Sequence, residues 1–296
     1  MATNIRDVKI RIQATKKTSQ ITNAMNMISQ AKLKTQEKAI RGYQPYLEKI
    51  KEVVLNIMSN ISDSKDVHNI LLNANKDKNK EKICYFLITS DKGLSGAFNN
   101  NAFKFLKEEI KKDHEDFVIA PIGLKGYYFS KKNKYPIYRD KYISIRDDIE
   151  FNEVIPFIKS IIKGYILGDF TEVKVIYNHY INVITQDVRC VKVLPISYDE
   201  ITEGMDKIKH IYEFDGNIED MLNMILPIYI ENVLYGYMLN SKASEHAARQ
   251  NAMKNATDNA LEIVKKLELL YNRARQQAIT LELTDIIGGA SVINDK

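Results

Sequence analysis

The chain has 296 residues, long enough for one large domain or two smaller ones. Its 45% hydrophobic and 27% charged content is that of an ordinary globular protein. Only 12 Gly and 6 Pro argue against a loop-rich or disordered chain, and the widely separated Cys84 and Cys190 exclude CxxC or Cys/His zinc spacing. The net charge of +5 is uneven. Residues 1–41 hold nine Lys/Arg against two acids and residues 242–296 eight against seven, so residues 42–241 sum to −3.

The start of the chain, Met1 to Arg6, lacks the apolar run of a secretory signal. The most apolar long stretch, Met221 to Leu239, is interrupted by Asn223, Pro227, Glu231 and Asn232, so it does not read as a membrane span. A soluble or peripheral protein is expected.

In chain order, residues from about Ile5 to Ser59 read as a long helix. Ile5, Val8 and Ile12 share one face, and so do Ile21, Met25 and Ile28, with the small polar Thr15, Thr18, Ser19 and Thr22 between them. Pro45 removes a backbone donor, and a kink or break is expected there. Ser62 to Lys82, rich in Asp, Asn, Ser and Lys, reads as a linker. The apolar run Ile83 to Thr89 reads as a strand buried on both faces. A Gly-containing loop (Ser90 to Gly96) follows, then a helix over Ala97 to Lys112 and a second strand over Phe117 to Pro121. Beyond them come a short helix over Gly123 to Lys132, a weaker strand over Ile137 to Ile143 and a helix over Glu150 to Leu167. Val173 to Tyr180 and Val188 to Leu194 alternate as strands. This order gives an α/β domain with a mostly parallel sheet and an antiparallel edge.

The last segment, Ile218 to Ile287, would span on the order of 100 Å as one helix at ~1.5 Å per residue, and Gly288-Gly289 is expected to cap it. Within it Met253, Ala256, Ala260, Ile263, Leu267, Leu270, Ala274, Gln277 and Leu281 step alternately by three and four, the a/d pattern of a coiled-coil seam. A seam of that length needs a partner of matching length, and the N-terminal helix is the candidate. The expected architecture is therefore α/β, with a long antiparallel coiled coil of N- and C-terminal helices and a central Rossmann-like α/β domain. The expected divisions are 1–60 and 206–296 for the two coiled-coil helices, 61–82 for the linker and 83–205 for the globular domain.

No chemistry-bearing constellation is specific. The Thr89 to Gly96 loop lies where phosphate loops occur, yet it matches neither the Gly-Lys-Ser/Thr nor the three-glycine pattern. It reads as a tight strand-to-helix turn. His68, His114, His179, His210 and His246 lack ligand spacing, and His246 reads as a packing residue. Cys84 and Cys190 read as reduced core thiols. No catalytic residue, metal or cofactor is expected. The basic N-terminal helix is rich in Lys rather than Arg and carries an apolar seam, which favours an acidic protein surface over nucleic acid as its partner. Near the C-terminal end Arg273, Arg275, Gln276, Gln277 and Thr280 form a donor-rich patch suited to docking. A nucleotide-handling α/β enzyme with helical arms, and a scaffold or nucleic-acid binder, remain alternative readings.

Three separated motifs resemble the ATP synthase gamma chain family over the full length. These are Ile5-Arg6-Asp7-Val8-Lys9 with Thr15-Lys16-Lys17-Thr18 and Ala24-Met25; Ile88-Thr89-Ser90-Asp91-Lys92-Gly93-Leu94 with Phe98-Asn99; and Ala243-Ser244-Glu245-His246 with Tyr271-Asn272-Arg273-Ala274-Arg275-Gln276. The resemblance implies a non-catalytic central stalk, whose terminal helices rotate inside an alpha3beta3 ring. Its α/β domain would sit near the epsilon subunit and the c ring. Arg275 and Gln276 then correspond to positions touching a loop of the beta subunit, with Thr280 on the same stretch. Met25 corresponds to a position near an acidic lever of beta, toward which Lys16, Lys17 and Lys32 would point. The implied location is the cytoplasmic side of a bacterial inner membrane, peripheral and without direct insertion. Many relatives carry Cys where this chain has Ser95, and no dithiol insertion is visible, so redox control of that type is not expected.

Overall fold

The computed structural model describes residues 5–59, 69–72, 82–113, 116–147, 149–197 and 217–294. The chain forms two compact units, Met1–Ile28 with Gln250–Lys296, and Ser29–Arg249. The two long helices, α1 (Ile5–Ser59) and α5 (Ile218–Asn294), each contribute to both.

The second unit is built on a four-stranded sheet, with β1 (Lys82–Ile88), β2 (Asp116–Ile122), β3 (Glu172–Tyr180) and β4 (Gln186–Leu194) in the order β2-β1-β3-β4. β1 pairs parallel with both β2 and β3, and β4 runs antiparallel to β3 at the edge. The continuous apolar run of β1 is explained by its place inside the sheet, where both faces are covered. Cys84, Phe86 and Ile88 face a core made with α1, α5 and α4 (Phe151–Leu167), through Val54, Ile158, Ile161, Ile230 and Leu234. Ile83, Tyr85 and Leu87 face the other way, under α2 (Phe98–Asp113) and α3 (Leu124–Lys132). The alternation follows from the two-residue side-chain period of a strand.

Three local expectations are corrected. The weak strand over Ile137 to Ile143 is not one, since Ile137 and Ile143 make only single bridges to Ile119 and Ile122. Between them Tyr138–Asp140 is a 3-10 turn. The cause is Tyr138, which turns its ring into the core, edge-on to Phe170 at 5.5 Å, and donates its hydroxyl to the Ser160 carbonyl at 3.0 Å. α1 runs unbroken through Pro45, although a proline there removes a backbone hydrogen bond and crowds the preceding turn. Helix α1 is pinned there by Tyr43, whose hydroxyl donates to Asn232 Oδ1 at 2.6 Å while its ring meets Tyr235 edge-on at 5.2 Å. Finally, α5 does not stop at Gly288-Gly289 but continues to Asn294. Each glycine costs about 1 kcal/mol relative to Ala in a helix, too little to end one already propagating. Most of the expected linker 61–82 lies outside the described residues, as does the boundary at 205–206.

Candidate partner-contact surface on the terminal helices

In the first unit α1 and α5 pair side by side. Thr22 Oγ1 meets Thr257 Oγ1 at 2.7 Å, and Lys16 Nζ meets Glu268 Oε1 at 2.7 Å. A contact earlier on α1 is matched by one later on α5, so the pair is antiparallel. The α1 side of the seam consists of Ile5, Val8, Ile12, Thr15, Ser19, Thr22 and Asn26, all buried or half-buried and alternating by three and four. The small Ser and Thr at its middle let the backbones approach. On α5 the seam is Met253, Thr257, Ala260, Val264, Leu267, Tyr271, Ala274 and Ala278.

This corrects the register read from the sequence. Met253, Ala260, Leu267 and Ala274 stand in the seam as expected, but the intervening position lies one residue later in each heptad. Val264 is 5% exposed and Ile263 48%; Leu270 is 41% and Leu281 65% exposed. Both candidate rows have heptad spacing, and the greater hydrophobicity of Ile263 and Leu270 favours the wrong one. The partner decides. Thr22 on α1 offers a hydroxyl, which Thr257 can meet and Ala256 cannot. On α1, Ile21 and Ile28 are likewise exposed, at 61% and 55%, and Thr18 is exposed beside the buried Ser19.

Arg275 and Gln276 are exposed neighbours on α5, and Thr280, one turn on, donates its hydroxyl to the Gln276 carbonyl at 2.9 Å. These three form one patch. Met25 is half-buried and lies close to the level of Thr22 and Thr257. Gln276 is 19 residues past Thr257 (276 minus 257), about 28 Å along the helix at ~1.5 Å per residue. Met25 and the Arg275 patch are thus separate points on one rod. Lys17 is exposed, whereas Lys16 already holds Glu268 across the seam. From Ile279 to Ile287 every side chain is exposed, including Leu283, Ile286 and Ile287.

Lys32, 40% exposed, is paired with Asp147, which also lies 3.6 Å from Lys242 Nζ and 3.6 Å from His246 Nε2. Around them Lys242 Nζ donates to Glu245 Oε2 at 2.9 Å, and Arg249 Nη2 donates to Glu245 Oε1 at 2.6 Å and to the Gly93 carbonyl at 3.4 Å. Gln36 Nε2 donates to the Asp147 carbonyl at 2.7 Å. This network, half-buried at Lys32 and Asp147 and buried at Lys242, Glu245, His246 and Arg249, ties α1, the 144–147 loop, the 90–96 loop and α5 together within the second unit. Arg249, three residues past His246 of the third motif, meets Gly93 of the second. Burial by itself would raise the carboxyl pKa values here. For Asp147 the Lys32 hydrogen bond and the charges of Lys242 and Lys32 outweigh it and hold the group at about 2. Glu245 is likewise held below the ordinary range by Lys242 and Arg249. Burial pushes His246 down to about 4, so it packs as a neutral ring. The network was invisible in the sequence because Asp147 is over 90 residues from Lys242 and over 110 from Lys32.

The Thr89 to Gly96 loop is a structural joint. Thr89 Oγ1 donates to the Ile122 carbonyl and accepts from the Gly126 N–H, both at 2.8 Å. The Ser90 N–H donates to Asn99 Oδ1 at 3.0 Å, and Asp91 Oδ1 accepts from the Leu124 N–H at 2.7 Å, capping α3. The Cys84 thiol is fully buried, and burial pushes the Cys190 thiol up to about 12, so both stay protonated.

The sequence pattern of the family described as ATP synthase matches residues 4–293. A curated relative, the ATP synthase gamma chain of Staphylococcus saprophyticus, is 39% identical over 290 residues, covering 97% of this chain and 98% of that one. The chain belongs to the ATP synthase gamma chain family. Its fold is similar to solved structures of Euglena gracilis mitochondrial ATP synthase (TM-score 0.64, 20% identity, 98% of this chain and 94% of that one). It is also similar to the central stalk of the Tetrahymena thermophila mitochondrial ATP synthase (TM-score 0.58, 24% identity, 80% and 99%). The fold shared with them has terminal helices paired antiparallel, with a mixed four-stranded sheet between them in the chain. Among the described residues, no helix is long and apolar enough to cross a membrane.

Proposed function

We propose that this chain is the rotor shaft of an F-type ATP synthase, carrying torque between a membrane c ring and an alpha3beta3 catalytic ring, and that it performs no catalysis itself. The observation that carries this reading is the surface of the paired terminal helices. Their seam is closed, yet large apolar side chains remain exposed on both: Ile21 and Ile28 on α1, and Ile263, Leu270, Ile286 and Ile287 on α5. A thin rod with that much uncovered apolar surface is suited to a sheath supplied by other chains. At the C-terminal tip, where Ile286 and Ile287 are exposed, weak apolar contacts also fit a shaft that must turn, because strong ion pairs there would hold it at one angle. Arg275 and Gln276, with Thr280, are the proposed donors to a loop of beta. Met25, Lys16 and Lys17 are the proposed contacts with an acidic region of beta, Lys16 exchanging Glu268 for that partner. The epsilon subunit and the c ring would meet the α/β unit. The complex would lie peripherally on the cytoplasmic face of a bacterial inner membrane, with no part of this chain inserted.

The test is purification of the tagged chain from its own cells with a subunit census. Recovery with two nucleotide-binding subunits in equal, threefold numbers, together with ATPase activity, is expected. Recovery of the chain alone, carrying nucleotide or DNA, would overturn the reading.

A further inference from the structure

Residues 124–146 carry seven Lys/Arg and a single acid, Asp140. Since residues 42–241 sum to −3, this +6 segment leaves −9 on the rest, a cationic island in an acidic stretch. The island has a defined surface. α3 packs on the sheet through Phe129, and Lys131, Lys132, Lys134, Arg139 and Lys141 are all exposed on it or on the loop that follows. The backbone is committed to the display. Lys134 and Arg139 hold left-handed φ values of 57° and 52°, a conformation that non-glycine residues keep only when their surroundings impose it. Lys134 takes it at the end of α3, where the Tyr135 N–H closes on the Ser130 carbonyl at 3.0 Å. Arg139 takes it next to Tyr138, which is anchored in the core and whose ring centroid lies 5.1 Å from the Arg139 guanidinium.

Tyrosines are interleaved with these charges. Tyr127 meets Tyr142 at 4.9 Å and Tyr128 at 5.9 Å, and Lys131 Nζ lies 4.7 Å from the Tyr127 centroid. Lys107 of α2, 5.4 Å above Phe129, extends the cationic surface to the neighbouring helix.

We propose that this face of α3 and its following loop docks a carboxylate-rich surface of another protein. Preset tyrosines among Lys and Arg supply contact area together with charge complementarity. Nucleic acid fits less well, because Lys131 and Tyr142 crowd the Tyr127 ring that would have to stack on a base. A lipid surface fits less well too. The exposed large apolar side chains of this segment are Tyr128 and Tyr142, and no exposed aliphatic is present to enter an acyl layer. The proposal stands whether or not the rotor reading does.

The experiment titrates the purified full-length chain against fluorescent poly-L-glutamate, with an oligothymidylate and phosphatidylglycerol vesicles as competing probes. Salt-sensitive binding to poly-L-glutamate is expected, weakened at least tenfold in a Lys131→Glu/Lys132→Glu/Lys141→Glu variant with unchanged far-ultraviolet circular dichroism. A Lys163→Glu/Lys254→Glu/Lys265→Glu variant, at exposed positions outside this face and outside the basic N-terminal helix, should retain most of the binding. Equal affinity of the wild type and the α3 variant, or an equal loss in that control variant, would overturn the proposal. So would a preference for the oligonucleotide or the vesicles that the α3 variant abolishes. If the triple variant loses helical signal, Lys141→Glu alone carries the comparison, with a threefold loss as the threshold.

Discussion

Two adjacent residues separate the two possible seams, and replacing each with Asp distinguishes them. Val264 is 5% exposed and Ile263 is 48% exposed. Both lie inside α5, so the helix-propensity cost of Asp is nearly the same at each and cancels in the comparison. At Val264 the substitution forfeits about 1.5–3 kcal/mol of apolar burial. It also places a carboxylate where water is excluded, for a further penalty on the order of 1–3 kcal/mol. A total of about 2.5–6 kcal/mol corresponds to a rise of roughly sixtyfold or more in opening of the helix pair, at about 1.4 kcal/mol per tenfold. At Ile263 the isolated chain should lose little, because half that side chain already meets solvent. Amide hydrogen exchange read by mass spectrometry resolves residues 5–28 and 250–280 from the rest. The expected pattern is a large loss of protection there in Val264→Asp, a small one in Ile263→Asp, and an unchanged sheet in both. Equal losses, or a larger loss in Ile263→Asp, would refute the register.

Three further predictions follow from other parts of the molecule. Arg275→Ala and Gln276→Ala should each lower ATP turnover of the assembled complex while leaving the melting temperature of the chain unchanged, since both side chains are exposed; normal turnover would remove them from the proposed contact. His246 has a folded pKa of about 4 against an ordinary 6.5, so between those values the unfolded chain binds the proton and the folded chain does not. Stability should therefore fall as pH drops from 6.5 to 4, by up to about 3 kcal/mol at ~1.4 per unit, and urea midpoints of His246→Asn should show a flatter slope over that window. Gly123 has φ +89°, and a Cβ there would lie 2.3 Å from the Thr89 carbonyl oxygen. Gly123→Ala should cost at least about 2 kcal/mol in urea unfolding, and an unchanged midpoint would show that the Thr89 turn yields easily.

Most of the elements can be placed from the sequence, because their signals are local. The apolar run of β1, the alternation in β3 and β4 and the three-four spacing in α1 and α5 each depend on neighbours within a few residues. The pairing of the two ends was legible too, since a long apolar stripe demands a partner of equal length. The exposed Arg275, Gln276 and Thr280 could be picked out by residue type and by resemblance. The charge island over 124–146 was also countable in the sequence, although only its exposure on α3 and the loop beyond gives it meaning.

Tertiary structure decided whatever depends on a distant partner. Ile263 and Val264 satisfy the same heptad, and the seam takes Val264 because of what α1 presents to it. Tyr138 turns a plausible strand into a 3-10 turn by reaching Ser160 and Phe170. Lys32 pairs with Asp147 of a distant loop, and Glu245, whose ion partners Lys242 and Arg249 lie within one turn of it on α5, is buried only because other segments cover that face. Periodicity records how a side chain repeats along its own helix. Which surface covers it is set only when segments distant in the sequence come together, as Lys32 and Asp147 do across 115 residues.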